Sequence, residues 1–336
     1  MTELQVRVVR GGHLESAHEV SAAVTDAAGT LLAVSGDPEM VTFWRSCAKP
    51  FQVLPLVEDG GLERFGLGDS ELALACASHS SEARHLELTD RFLDRIGCGE
   101  ADLACGPHPP LGPAVAQALV AARESPTPRW SNCSGNHAAM LALSRLHGWS
   151  TEGYERAGHP VQTRIARTIG EWTAVDGKRL LTAVDGCTTV CFGLPLRNMA
   201  LAYARLATSD APAPTRVRQA MLRHPELVAG EGRCCTDCMR TIPGVIVKVG
   251  AEGVYCAALL AAGVGVALKV HDGDARAAPL ALVAILRRLA EQLPGAPGVP
   301  AAGLEAWHQA TIFNTRGTAT GVIRAEGRLR FSGPAG

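Results

Sequence analysis

Ser46 and Lys49 stand three residues apart in Arg45-Ser46-Cys47-Ala48-Lys49-Pro50, a spacing that puts a hydroxyl and an amine on one face of a helix. Such a pair can make a serine nucleophilic without histidine. A partly desolvated lysine, its pKa drawn below the usual value of about 10.4, takes the hydroxyl proton. Ser-x-x-Lys also arises by chance, and the same residues read as a surface helix with a solvated lysine.

Further segments carry groups that could do chemistry. Ala77-Ser78-His79-Ser80-Ser81 follows an apolar run, so hydroxyls and an imidazole emerge at a strand end, or else cap the helix expected at Ala83–Ile96. Asn132-Cys133-Ser134-Gly135-Asn136-His137 opens a helix, and Asp185-Gly186-Cys187-Thr188 follows a strand at Leu180–Val184. Each sets a thiol beside a glycine turn, where backbone N–H groups could hold an anion or sulfur could bind metal; buried structural cysteine is the plainer reading. Cys234-Cys235-Thr236-Asp237-Cys238 resembles half a zinc site without a second half at zinc-finger spacing. Lys248, inside the apolar run Val245–Val249, must be paired or functional unless it snorkels from an edge strand. The histidines form no H-x-x-x-H or HExxH pair worth pursuing.

The elements that must position these groups alternate at both ends of the chain. Val6–Val9, a hairpin of Ala17–Thr25 and Thr30–Ser35 around Asp26-Ala27-Ala28-Gly29, and a buried strand at Leu72–Ala77 are expected in the first third. Residues 111–225 are mostly at helical spacing. Strands return at Ile246–Val249, Val254–Leu260 and Val264–Val270, then a helix at Pro279–Leu293 and a strand at Gly321–Ala325. This predicts a single two-lobed α/β catalytic domain, with 1–110 and 240–336 as the α/β lobe, 111–239 as the helical lobe, and a cleft between them. At 336 residues, with 32 Lys+Arg against 33 Asp+Glu and 4% aromatics, the chain has neither the field nor the stacking surface for nucleic acid. Met1-Thr2-Glu3-Leu4-Gln5 lacks a basic-then-apolar run, and Gly253–Leu268 is short for a membrane span and broken by glycines. A soluble cytoplasmic protein with reduced cysteines is expected.

Together and in order, six blocks resemble the asparaginase II family, the thermolabile, Rhizobium etli-type L-asparaginases, whose fold is similar to serine β-lactamases and glutaminases. They are Arg45–Gln52, Ala77–Ser80, Asn132–His137, Asp185–Cys187, Val228–Arg233 and Lys248–Val254. The resemblance implies a serine β-lactamase-like fold, an antiparallel sheet flanked by helices with a central mostly helical lobe. It implies hydrolysis of L-asparagine to L-aspartate and ammonia through a covalent acyl-enzyme, with serine–lysine pairs Ser46/Lys49 and Ser78/Lys248. Arg45, His79, Ser80, Asp185 and Cys234 would face substrate. Zinc ligands would include Cys133 and Cys187. Where the family commonly has a metal-binding lysine (CSGKH), this chain has Asn136, so zinc, if bound, is expected to be held weakly. No organic cofactor is implied, and a homodimer is. The alternatives are a glutaminase or β-lactam-reactive serine hydrolase of the same fold, and a non-catalytic amide- or zinc-binding sensor.

Overall fold

The computed structural model describes residues 3–177 and 179–332, so Met1 and Thr2, where the leader argument begins, lie outside the described residues. The strands are β1 (Gln5–Arg10), β2 (His13–Asp26), β3 (Leu31–Ser35), β4 (Val41–Phe43), β5 (Leu181–Val184), β6 (Val190–Pro195), β7 (Val245–Val249), β8 (Val254–Leu259), β9 (Val264–Val270), β10 (Gln309–Phe313), β11 (Ala319–Glu326) and β12 (Arg330–Phe331). The main sheet runs β10-β11-β1-β2-β9-β8-β7, with β3 on β2 and β12 on β3. These pairings are antiparallel, as expected.

The chain divides into two compact units, Met1–Cys47 with Leu194–Thr208 and Asp237–Gly336, and Ala48–Gly193 with Ser209–Thr236. In the sheet unit, consecutive residues of β8 and of β9 as far as Leu268 are buried, so both faces of these strands are covered. One cover is the helix Leu196–Thr208, packed on β2, β8 and β9. It lies so close that a side chain at Gly265 would collide with the Ala200 carbonyl and the Ala204 nitrogen. The other long helix, Ala277–Gln292, packs on β1, β8, β9 and β11.

The second unit is mainly helical. The apolar run Leu72–Ala77, predicted to be a strand, mostly lies in the helix Asp69–Ala75. Its start is fixed where Glu71 Oε2 accepts the Gly68 N–H at 2.9 Å, and the helix packs against those at Ala83–Arg95, Ser134–His147, Pro212–Arg223 and Pro225–Val228. The stretch Leu72–Ala75 is buried at every position, and such a short apolar run cannot be told from a buried strand by periodicity alone. The same packing draws 48–110 into the helical unit, whereas the sequence groups that stretch with the α/β lobe. β5 and β6 form a hairpin in this unit. Among the described residues no helix is long and apolar enough to cross a membrane.

Candidate active site

Lys49 opens the helix Lys49–Gln52, directly after the 3-10 turn Arg45–Ala48 that carries Ser46; a continuous α-helix was expected there. Lys49 is 3% exposed, and its Nζ reaches the Ala77 carbonyl at 2.5 Å, the Ser78 hydroxyl at 3.4 Å and Cys133 Sγ at 3.1 Å. Among the described residues no carboxylate is bonded to it. The Cys133 thiol is pulled below its ordinary pKa, first by a hydrogen bond with Cys187 and also by Lys49, against the effect of burial. The N-terminus of the helix Ser134–His147, where Cys133 is the cap, favours the same shift. Cys187 moves the other way, raised by its bond to Cys133 and by burial. Cys133, Cys187 and Lys49 Nζ thus form one buried hydrogen-bonded cluster. The Cys133 thiol donates to Asn132 Oδ1 at 2.9 Å.

Close backbone approach sets this geometry. A side chain at Gly135 would collide with the Leu74 backbone and side chain, so only glycine lets the helix Ser134–His147 lie against Asp69–Ala75 at this point. Asn136 Nδ2 then donates to the Ala75 carbonyl at 3.0 Å. Beyond that helix end, the Ser78 N–H donates to the Val228 carbonyl at 2.9 Å and the Ser80 hydroxyl to the Ala229 carbonyl at 2.9 Å. Gly230, at φ +124°, passes so near that a Cβ would sit 2.6 Å from Ser80 Oγ. Arg233 completes the wrap, its guanidinium donating to Ser80 Oγ at 3.0 Å. The sequence blocks contain Arg233 and Asn132 but assign neither a role; a lone cation between two glycines and two cysteines was the available signal.

His79 is assigned to substrate from the sequence, but the geometry gives it to the turn. It is fully buried, its Nδ1 accepts the Ser81 N–H at 3.2 Å, and its Nε2 therefore carries the hydrogen and donates to Ser134 Oγ at 2.9 Å. Neither nitrogen is left for a ligand. Burial, then the neighbouring His85 and Lys49, holds its pKa well below the usual histidine value.

Asp185 and Cys187 lie in the turn of the β5–β6 hairpin, closed by Asp185 N–H to the Thr189 carbonyl at 2.8 Å and Thr188 N–H to the Asp185 carbonyl at 2.9 Å. Thr188 is β-branched yet has φ +80°, with its hydroxyl tied to the Ala104 carbonyl at 3.0 Å. Six described non-glycine residues have positive φ: Arg45, Ser81, Arg123, Ala174, Thr188 and Glu252. Arg123 and Ala174 merely end helices. The other four abut or lie in the Ser46, Ser78, Cys187 and Lys248 segments, and strain of about 1–3 kcal/mol each persists where surrounding structure imposes it. Cys234 is buried at the head of the helix Cys234–Thr241.

In the sheet unit, Ser46 is half-buried and Arg45 has φ +52°. The buried Cys47 thiol, pushed up chiefly by desolvation, donates to the Lys248 carbonyl at 3.0 Å, and Tyr203 Oη donates to the Cys47 carbonyl at 2.8 Å. The Ser46 turn is thereby stitched to the strand that carries Lys248, which is fully buried with Nζ donating to the Val249 carbonyl at 2.8 Å. Within each unit the structure thus joins residues in combinations the sequence pairs did not name: Lys49 with Ser78, and the Ser46 turn with the Lys248 strand.

The Cys133 and Cys187 sulfurs share a hydrogen bond, and the buried Asn136 Oδ1 has no hydrogen-bond partner among the described residues. No group of three or more His, Cys, Asp or Glu that could hold a metal ion exists among the described residues.

Among solved structures, Mglu in its native form matches with a TM-score of 0.38 and 16% identity, covering 82% of this chain and 64% of that one. The octameric penicillin-binding protein homologue from Pyrococcus abyssi matches at 0.33 and 14%, covering 82% and 74%. A LovD simvastatin synthase mutant from Aspergillus terreus matches at 0.32 and 10%, covering 75% and 86%. This chain thus spans less than two thirds of the length of Mglu. No curated protein matches. The buried lysine, the paired cysteines and the strained turns lie within residues 6–325, the span that matches the L-asparaginase II family, and the chain belongs to that family.

Proposed function

We propose that this protein hydrolyses the side-chain amide of L-asparagine to L-aspartate and ammonia through an acyl-enzyme on Ser46. The observation that carries the reading is Lys49, buried without a carboxylate and ringed by a carbonyl, a hydroxyl and a sulfur, at the start of the helix that follows Ser46. In its neutral form Lys49 takes the Ser46 proton as Oγ attacks the amide carbon. Backbone N–H groups hold the oxyanion. Ser78 and Lys248 deliver a proton to the departing nitrogen, the C–N bond breaks, and ammonia leaves. Water then attacks the ester, giving up a proton as Ser46 recovers its own, and L-aspartate is released.

Arg45, Ser80, Asp185 and Cys234 are the residues proposed to face the substrate. Zinc, when bound, would be held by Cys133, Cys187 and Asn136, and its positive charge would orient the substrate's α-substituents. A homodimer, the assembly we propose, is checked by light scattering. The deciding experiment measures ammonia from asparagine and glutamine, and ring opening of a chromogenic β-lactam, with wild type and Ser46→Ala. Ammonia from asparagine that disappears in Ser46→Ala is expected. Faster release from glutamine, or lactam turnover alone, would replace the substrate, and no turnover would leave a sensor.

A further inference from the structure

The sheet unit holds a cavity of about 230 Å³ lined by Ala284, Arg287, Arg288, Glu291, His308 and Ala325. None of these residues belongs to the clusters above. Arg287 and Arg288 are neighbours on the helix Ala277–Gln292, His308 ends the short helix Glu305–His308, and Ala325 lies on β11. Arg287 Nη1 donates to His308 Nδ1 at 3.1 Å. That nitrogen is therefore an acceptor, and the ring hydrogen sits on Nε2. His308 Nε2 is buried and has no hydrogen-bond partner among the described residues. Arg288 is fixed from one side, Nη2 donating to the Gly327 carbonyl at 2.6 Å, while its Nη1 is likewise buried and unpartnered.

Buried N–H groups are nearly always satisfied. Here two such donors, from two different elements, line one cavity together with a second guanidinium. The one carboxylate of the lining is that of the exposed Glu291, a helical turn beyond both arginines, so two positive charges outnumber one negative charge. The two unpartnered donors call for an acceptor with several oxygens: a planar carboxylate offers two, whereas a tetrahedral phosphate can meet both arginines and the imidazole at once.

We propose that this cavity binds phosphate, as the free ion or as the phosphoryl group of a small monoester. The proposal is independent of the amide chemistry, because it uses none of those residues. It is tested by titration calorimetry of the full-length protein with inorganic phosphate and with glycerol phosphate, at an ionic strength held constant with chloride. Saturable binding, weakened tenfold or more in Arg288→Gln and in Arg287→Gln and His308→Gln, with ammonia release unchanged, is expected. Arg288→Gln also loses the Gly327 bond, so the other two variants keep the test valid if that one is misfolded by circular dichroism. Tighter binding of the ester than of phosphate makes the occupant a phosphorylated metabolite, and the reverse makes it the free ion. Absence of saturable binding of either, or binding that Arg287→Gln and His308→Gln leave untouched, overturns the proposal.

Discussion

The sheet unit and the helical unit each bury a lysine, and they do so by different means. Lys248 sits in β7, paired in register with Cys256 of β8, so the strand ladder dictates where it stands. Lys49 sits at a helix start, held by the Ala77 carbonyl, the Ser78 hydroxyl and the Cys133 sulfur. A lysine placed by a ladder is rigid, whereas one placed by a hydrogen-bonded cluster is in contact with groups that exchange protons. In the proposed mechanism Lys49 takes the proton from the nucleophile, and Lys248 acts with Ser78 in delivering a proton to the leaving group.

The largest effect that tests this comparison is loss of Ser46 or Lys49. Ser46→Ala and Lys49→Ala should each lower kcat by about 10³-fold or more with the fold intact, and the double variant should be no worse, because each removes the same covalent step. A Ser46→Ala protein that kept a tenth of wild-type kcat would end the covalent assignment. Lys248→Met comes next, with a loss of about 10²-fold or more in kcat/KM. Near-normal kcat/KM there would make Lys248 a packing residue of the sheet.

The same contrast explains what could be read from the chain. β7, β8, β9 and the long helix Ala277–Gln292 were legible because alternation, helical spacing and runs of Val, Ile and Ala report burial directly. The motif residues around Lys49 were legible as types, through the blocks that resemble a family. Their contacts were not, since no local pattern reveals that Gly135 is forced by Leu74 or that Arg233 reaches Ser80 from 153 residues away. The helix at Asp69–Ala75 was misread because apolar length cannot distinguish two kinds of fully buried element. The Arg287–Arg288–His308 cavity left no trace in sequence, because its partners come from two helices and a strand.

A mid-sized effect tests how the helical cluster is held. Gly135→Ala should cost about 1–3 kcal/mol, the usual range for overpacking, read from the urea midpoint, and it should slow alkylation of Cys133 by displacing it from Lys49 and Cys187. An unchanged midpoint would mean that the helix pair yields freely. The metal probes the same cluster. With Asn136 as third donor, zinc should be present at partial occupancy after purification and lost to chelator, while Asn136→Lys should tighten binding by about tenfold or more, increasingly at higher pH, because the amine must first lose its proton. Metal content per chain after dialysis against chelator decides it. Full, resistant zinc in the wild type would require another ligand, with His137 and Asp185 first to examine.

The smallest effect concerns the turn below Ser78. His79 is neutral and fully buried, with a pKa held well below the ordinary value by desolvation first and by His85 and Lys49 after it. The unfolded chain protonates this imidazole near pH 6.5, the folded chain only at lower pH, so between those limits the unfolded state binds one more proton and stability falls as the solution is acidified. Each such site contributes about 1.4 kcal/mol per pH unit in that window. His79→Gln removes the titration while leaving an amide to bond Ser134, so its stability should fall less steeply below pH 6.5 than that of wild type, by about one proton's worth of slope. Part of the slope should remain, because burial also lowers the His85 pKa. Urea midpoints at half-unit pH steps measure the difference; identical slopes for the two proteins would show that His79 is already protonated in the fold and that the Ser78 turn rests on a charged ring.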